Sequence, residues 1–338
     1  MPRKPRVEYA GAIYHVMSRG NHQEAIFRDG RDGEIFLDTL GEACGRTGWR
    51  IHAFVLMGNH YHLLLETPEA NLVAGMKWLQ GTYTQRFNGR HKLWGHLLQG
   101  RYKALLVDGS GGDYFLTVSN YIHLNPARTK GFDAAKERLS DFAWSSFPLY
   151  GRPTKRPEWL CVDRTLGCLG LEDSAYGRRR FREYMNKRAL EVSESDRPME
   201  YGPGWAHIRR GWCFGTEAFR RDMLERMDEL SGKRESFSGA EVKLHDERQA
   251  EAFVQQGLRV LGLREAELVR LPKGADDKVL LAWLIRRHTA VSNVWIAERL
   301  RMGRADCLSR YPKRIDETTD EALLEKRERL RAITRLRD

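Results

Sequence analysis

Apolar and polar positions in the first third of the chain follow two periods in turn, which predicts a succession of strands and helices. Segments that alternate every second residue are typical of half-buried strands, and segments with apolar residues every third or fourth position are typical of amphipathic helices. The predicted strands cover 12–17, 50–57, 60–66 and 102–107, and the predicted helices 32–44, about 72–87 and 113–124. This βαββαβ order, followed by a helix, predicts an antiparallel sheet with helices on one face and the other face free to carry a site.

The pattern changes after residue 130. Prolines interrupt the stretch 131–204, which predicts a connecting region with short helices, including one over 175–189. Helical periodicity then returns in three clear segments, and it predicts an all-α region over 205–338. These segments are 216–230, 246–261 and 278–288.

A probable helix-turn-helix lies at about 279–311. Ser292 is placed as an N-cap for a short helix, and Met302 with Gly303 forms a turn before a second predicted helix over 304–311. The second helix carries Arg304 and Arg310, which are therefore candidates for DNA contact. An ordinary helical hairpin is an equally good interpretation of this pattern.

Composition limits the classes of protein that fit. The chain has 338 residues, with 57 Lys and Arg against 46 Asp and Glu, a formal net charge of +11. Its 41% hydrophobic residues exclude a disordered or collagen-like chain. No apolar run predicts a membrane span or signal peptide, and the five cysteines form no CxxC pair. A cytoplasmic protein with no membrane partner is expected.

Positive charge is concentrated near the end of the predicted sheet. Eight basic and two acidic residues lie between Lys77 and Lys130. This balance, interleaved with aromatic residues, is typical of a surface that contacts phosphates and stacks on bases of single strands. Core packing is the alternative for each aromatic residue by itself. The aromatic residues are Trp78, Tyr83, Phe87, Trp94 and Tyr102.

Two histidines stand two residues apart on the third predicted strand. Side chains alternate along a strand, so His60 and His62 share a face and Tyr61 points to the other. Two imidazoles placed in this way can ligate one divalent ion, although an isolated HxH more often lies on the polar face of a sheet.

A second group of polar residues lies downstream in a predicted helix. Tyr121 and Asn125 are four residues apart, so they share a helix face and present a phenol and an amide oxygen to one point. Asn125 is a candidate third metal ligand. Because it precedes Pro126, we expect it to sit in a frayed last turn.

These two elements together resemble a known family. An HUH motif at 60–62 combined with a single tyrosine in Tyr-xxx-Asn-Pro at 121–126 resembles the single-tyrosine HUH transposases, and among them the REP-associated tyrosine transposases. Further matches are the opening segment 14–21, the strand segment 99–108 and Trp144-Ser145-Ser146 ahead of Tyr150. Together the matching segments cover roughly residues 8–150.

The resemblance implies a fold, a reaction and partners. It implies a ferredoxin-like α+β catalytic domain over 1–130. The all-α region over 205–338, outside the matching segments, is expected to add DNA recognition. It implies metal ligation by His60 and His62 and nucleophilic attack by Tyr121 on single-stranded or hairpin DNA, which forms a 5′-phosphotyrosine. The implied cofactor is Mg²⁺ or Mn²⁺. The expected DNA contacts are Arg19, Asn21, Arg101, Lys103, Arg128, Arg304 and Arg310.

Two other functions remain open at this point. A non-catalytic, sequence-specific DNA-binding regulator would use the same surface without cleavage. An HUH replication or conjugation initiator would share the chemistry, although the chain has no phosphate-binding GxxxxGK[ST] motif. The sequence leaves the choice between monomer and homodimer undecided.

Overall fold

The computed structural model describes residues 6–129, 132, 136–194, 205, 208, 211–231, 239–309 and 311–335. The chain divides into two compact units: residues 1–41, 49–68 and 80–232 form the first, and residues 42–48, 69–79 and 233–338 form the second. Within the described residues, no helix combines the length and apolar character that crossing a membrane requires.

A five-stranded sheet organises the first unit. The strands are β1 (Ala12–Arg19), β2 (Arg50–Met57), β3 (His60–Thr67), β4 (Lys103–Val107) and β5 (Cys213–Phe214). Their spatial order is β2-β3-β1-β4-β5, with the first four antiparallel and β5 parallel to β4. The predicted α+β, ferredoxin-like arrangement of βαββαβ is confirmed.

The short strand β5 is the exception to the expected all-α C-terminal region. Leu106 donates its backbone N–H to Trp212 O at 3.0 Å, and Asp108 donates to Phe214 O at 2.9 Å. Residues 211–214 therefore extend the sheet of the first unit, and the predicted boundary at residue 204 does not coincide with the division between the units. Two residues carry too little periodicity to predict a strand, so only the pairing with β4 defines it.

Helices of the first unit lie at the predicted places with shifted ends. They are α1 (Gly30–Thr47), α2 (Leu72–His91), α3 (Gly112–His123), α4 (Phe147–Tyr150), α5 (Asp163–Gly167), α6 (Ala175–Ser193) and α7 (Glu217–Ser231). The range of α1 continues into the second unit, and that of α2 begins there. The helix α1 continues past its predicted end at residue 44 through Gly45 to Thr47, and Gly48 follows it with a φ of +73°. A left-handed residue just beyond a helix is the usual position for glycine, so Gly48 terminates α1.

Both faces of the sheet are covered, which corrects the expectation of a free face. On one face, Phe36 of α1 packs on Tyr61 with ring centroids 4.7 Å apart, and Gln80 of α2 donates to the Tyr61 hydroxyl at 2.9 Å. On the other face, Phe115 of α3 meets His52 at 5.1 Å. Because α3 carries a run of buried residues through Tyr121 and Ile122, it needs a surface to bury them, and the sheet supplies one.

The second unit is helical around its own core. Its helices are α8 (Gly239–Leu261), α9 (Glu267–Arg270), α10 (Asp276–His288), α11 (Asn293–Arg299), α12 (Tyr311–Asp316) and α13 (Glu321–Arg335). Leu280, Trp283 and Leu284 of α10 are fully buried together with Ile296 of α11. Ser292 caps α11 as predicted, since its side chain accepts the Trp295 N–H at 3.1 Å.

The second helix of the predicted helix-turn-helix is wrong in type. Residues Ala305–Ser309 form a 3-10 helix, and an α-helix begins only at Tyr311. Arg301 and Gly303 both have positive φ, so the chain turns twice after α11 and leaves only a short segment before α12. Such short segments are typical of 3-10 rather than α-helical structure. Arg310 lies outside the described residues.

Candidate active site

The two histidines of the HxH motif lie on one face at the start of β3. In the register of β1 with β3, Arg19 stands opposite His60 and Met17 opposite His62. Directly opposed residues of antiparallel strands share a face, so Arg19 lies beside His60. On the neighbouring strand β4, Lys103 stands opposite Met17, so His62, Met17 and Lys103 form a row across three strands on the same face. With strands about 4.8 Å apart, Lys103 lies roughly 10 Å from His62 along the sheet.

Hydrogen bonds orient both imidazoles through the same ring nitrogen. His60 Nδ1 donates to Asn59 Oδ1 at 2.8 Å, so its Nε2 keeps a lone pair. His62 Nδ1 lies 2.8 Å from His15 Nε2, and donation from His62 leaves its Nε2 unprotonated as well. A second hydrogen bond that fixes the tautomer is typical of metal-ligating histidines. The two imidazoles therefore fit a divalent ion.

Burial keeps these imidazoles neutral. It lowers the pKa of His15 to about 3 and that of His60 to about 4, and it holds the pKa of His62 well below its ordinary range. Nearby positive charge acts in the same direction: Arg128 lowers the pKa of all three, and Arg19 lowers that of His60. Neutral imidazoles have the lone pair that a metal requires.

The side chain of Tyr121 lies against this histidine cluster. Its ring centroid is 5.8 Å from that of His62 and 5.7 Å from that of His15, both edge-on. Trp205 packs on it at 5.4 Å with the planes at 88°. Tyr121 is only 4% exposed. The fold thus brings the tyrosine and the histidines of a single chain together, although they are 59 residues apart in sequence.

Arg128, expected to contact DNA, is buried next to the tyrosine. Its guanidinium carbon lies 4.2 Å from the centre of the Tyr121 ring and 4.7 Å from that of Trp205. The residue is 6% exposed. A cation over two aromatic rings is favourable, and it places positive charge at the site.

Asn125 lies in a turn just beyond the last residue of α3. Its backbone is helical, with φ −56° and ψ −42°, and its N–H bonds to Ile122 O at 3.2 Å. Asn125 thus adopts helical backbone although it precedes Pro126, which opens the 3-10 helix Pro126–Arg128 at a position where its missing N–H costs nothing. Asn125 is buried one turn beyond Tyr121. Its role as a metal ligand stays a prediction.

The other expected DNA contacts are spread over several places. Arg19 and Lys103 are exposed on the histidine face, and Arg101 is exposed just before β4. Asn21 is half-buried and donates its backbone N–H to Leu97 O at 2.9 Å. Arg304 belongs to the second unit and pairs with an exposed aspartate in its own loop.

Of the five aromatic candidates, three are part of the core. Tyr83, Phe87 and Tyr102 are buried, and Trp78 is half-buried. Trp94 is 86% exposed, more than any other large hydrophobic residue in the described part of the chain.

Two residues of this site were not singled out from the sequence. His15 is 1% exposed and hydrogen-bonded to His62, and strand alternation alone places it on the same face of β1 as Met17 and Arg19. The position of a histidine on that face of β1 was the signal by which the sequence could have indicated His15 as a site residue. Trp205 follows a proline-rich stretch far along the chain, and nothing in the sequence indicates that it packs on Tyr121.

The described residues contain no cluster of three or more His, Cys, Asp and Glu side chains arranged to hold a metal ion.

Comparison with known proteins identifies the segment that carries the site. A family model described as an IS200-like transposase matches residues 8–125. A solved structure of a REP-associated tyrosine transposase bound to a REP hairpin aligns with 49% of this chain and 94% of its own, at 16% identity and a TM-score of 0.37. No curated protein matches the chain significantly. Residues 8–125 include the whole βαββαβ unit, both histidines and Tyr121, so the segment that is similar to IS200-like transposases contains the candidate site.

Proposed function

We propose that the chain is a metal-dependent transposase of the REP-associated type, which cleaves and rejoins single-stranded or hairpin DNA through a 5′-phosphotyrosine on Tyr121. The observation that supports this most is the edge-on contact of Tyr121 with His62, at 5.8 Å between ring centroids. A nucleophile and two candidate metal ligands meet inside one chain. The proposal therefore draws its nucleophile and its two histidine ligands from the same chain.

The reaction requires one bond to form and one to break. The Tyr121 oxygen attacks the phosphorus, the bond from phosphorus to the 3′ oxygen breaks, and the phenolic proton ends on the released 3′-hydroxyl. The phosphodiester energy is kept in the tyrosine ester, so attack by another 3′-hydroxyl reverses the step and joins two strands without ATP. Arg128, 4.2 Å from the Tyr121 ring, supplies positive charge close to the attacked phosphate.

The residues that would hold the metal are His60 and His62 through Nε2, with Asn125 as a third ligand. A bound Mg²⁺ or Mn²⁺ would polarise the scissile phosphate. Asn59 and His15 hold the two imidazoles in the orientation that exposes Nε2. Arg19 beside His60 and Lys103 in the same row of the sheet are placed to bind the phosphates that flank the cut.

One observation favours a second candidate function, a DNA-binding regulator without cleavage. Tyr121 is 4% exposed beneath Trp205, and a nucleophile must reach its phosphate. In the transposase, binding of DNA has to open this contact; in the regulator, the contact stays closed.

A cleavage assay separates the two functions. The probe is an end-labelled DNA hairpin with a single-stranded 5′ flank, taken from palindromes beside the gene, with Mn²⁺ or Mg²⁺. We expect the wild type and Tyr176→Phe, which changes an exposed tyrosine elsewhere on the surface, to give a covalent adduct on a denaturing gel. Tyr121→Phe should give neither adduct nor cleavage. Cleavage by Tyr121→Phe would refute the proposed nucleophile, and binding without any adduct in the wild type would favour the regulator.

A further inference from the structure

Trp94 projects from the loop that joins α2 to β4. Leu93 before it donates its N–H to Asn88 O at 2.9 Å, and Gly95 after it accepts a hydrogen bond from the Asn88 side chain at 3.0 Å. Asn88 thus holds both neighbours of Trp94. Trp94 is 86% exposed, while the backbone on both sides of it is held by these hydrogen bonds.

The far end of this loop is attached to the strand that faces the HUH motif. Gln99 donates its N–H to Arg19 O at 2.9 Å, and Leu98 pairs with Gly20 in an isolated bridge. Arg19 stands opposite His60. Trp94 is five residues before Gln99, so it lies at most about 17 Å from the end of the sheet that carries His60. Such a distance corresponds to roughly five stacked nucleotides.

The surroundings of Trp94 are positively charged. Lys92 and Arg101 are exposed within the same loop, and Lys103 follows at the start of β4. No acidic residue occurs between Lys77 and Val107 in the sequence. An exposed indole among cations suits a partner that is both anionic and aromatic, and single-stranded DNA has both properties. A protein partner or a second copy would not account for the absence of carboxylates.

We propose that Trp94 is a platform on which an unpaired base of the DNA substrate stacks, and that Asn88 positions it. The proposal rests on the proposed function for its partner, DNA, but not on cleavage. Stacking holds the single-stranded flank at a fixed distance from His60 and Tyr121, so it selects strands with an unpaired base at one position. The duplex part of a hairpin has no base available for this contact.

Equilibrium binding tests the platform. The full chain carrying Tyr121→Phe, to prevent cleavage, is titrated into a fluorescein-labelled hairpin with a single-stranded flank, and into the same hairpin with blunt ends. Trp94→Ala should weaken binding to the flanked hairpin by about 5- to 100-fold, the range found for loss of one base stack. Trp94→Phe should keep most of the affinity. Binding to the blunt hairpin, and the matched control Tyr176→Ala, should be unchanged.

Salt dependence and abasic sites distinguish stacking from other roles. Trp94→Ala should leave the slope of log K against log salt unchanged, because it removes no phosphate contact. An abasic site at one position of the flank should weaken DNA binding by the wild type as much as Trp94→Ala does. The same abasic site should not weaken DNA binding by Trp94→Ala any further. Asn88→Ala should give a smaller loss in the same direction.

Three results would overturn the proposal: unchanged affinity of Trp94→Ala for the flanked hairpin, an equal loss on the blunt hairpin, or a change in oligomeric state in place of a loss of affinity. Cleavage is measured separately with Tyr121 intact. If the wild type forms no adduct but its DNA binding depends on Trp94, the proposed cleavage reaction is refuted and base stacking on Trp94 is supported. If the wild type cleaves and Trp94→Ala binds normally, only the platform fails.

Discussion

The hydrogen bond between His15 and His62 makes a quantitative prediction about metal binding. The two nitrogens are 2.8 Å apart and the rings are stacked with centroids at 5.0 Å. His15 is 1% and His62 2% exposed, so water has little access to replace a lost partner. His15→Leu removes the acceptor that fixes the His62 tautomer, whereas His15→Gln can place a polar atom near the position of Nε2.

The expected magnitude follows from the role of such outer hydrogen bonds. Loss of a group that orients a ligating histidine typically weakens metal binding 10- to 100-fold, or about 1.4–2.7 kcal/mol. His15→Leu should therefore raise the dissociation constant for Mn²⁺ by that factor. His15→Gln should recover part of the loss, because it restores a hydrogen-bond partner rather than only the packing.

The assay is a titration of the full chain with Mn²⁺, in which electron paramagnetic resonance reports the free ion. Cleavage rates at increasing Mn²⁺ provide a second readout, and in the leucine variant excess metal should restore the rate. Thermal unfolding of both variants checks that the fold is retained. An unchanged dissociation constant in His15→Leu, with the fold intact, would refute the assigned role of His15.

Two further predictions concern surface charge and pH. Lys103→Ala should weaken binding of single-stranded DNA and reduce the slope of log K against log salt by about 0.7, whereas Lys155→Ala, an exposed lysine in a different loop, should change neither. Hydrogen bonding from Arg156, at 2.6 Å, holds the pKa of Asp173 below its ordinary 3.8 in the folded state. Asp173→Asn should lower the free energy of unfolding by about 1–2 kcal/mol at pH 7. Because a lowered carboxyl pKa stabilises the fold only while the group is ionised, the difference should vanish as the pH falls below about 4 through the native pKa. Urea unfolding at several pH values measures this, and a constant difference down to pH 2 would contradict it; Asp306→Asn, whose ion pair is largely exposed, should have little effect at any pH.

Local periodicity predicted the catalytic sheet well because each strand and helix has an independent sequence signature. The predicted strand at 50–57 matches β2, and the strand at 60–66 differs from β3 by one residue. Helix ends were less predictable: α1 runs to Thr47 and α2 to His91, beyond the predicted ends at 44 and about 87, and Gly45 lies inside α1. The cost of about 1 kcal/mol for a glycine in a helix is smaller than the gain from burying the helix face against the sheet.

Residue types and spacing were sufficient to nominate Tyr121, His60 and His62, because strand alternation and helix periodicity are local rules. They were not sufficient for His15 and Trp205, whose contacts with the site depend on which segments meet in space. The helix-turn-helix shows the same limit, since the chain turns near Gly303 as predicted but continues as a 3-10 helix where periodicity predicted an α-helix.

The sequence by itself determined the βαββαβ order and nominated Tyr121, His60 and His62 as site residues, since these follow from short-range patterns. Only the tertiary structure decided that both faces of the sheet are covered, that Arg128 is buried against Tyr121, and that Trp94 alone of five aromatic candidates is largely exposed. Burial is a property of what packs on a residue. A linear pattern states that a side chain can be buried, and the three-dimensional arrangement of distant segments determines whether it is.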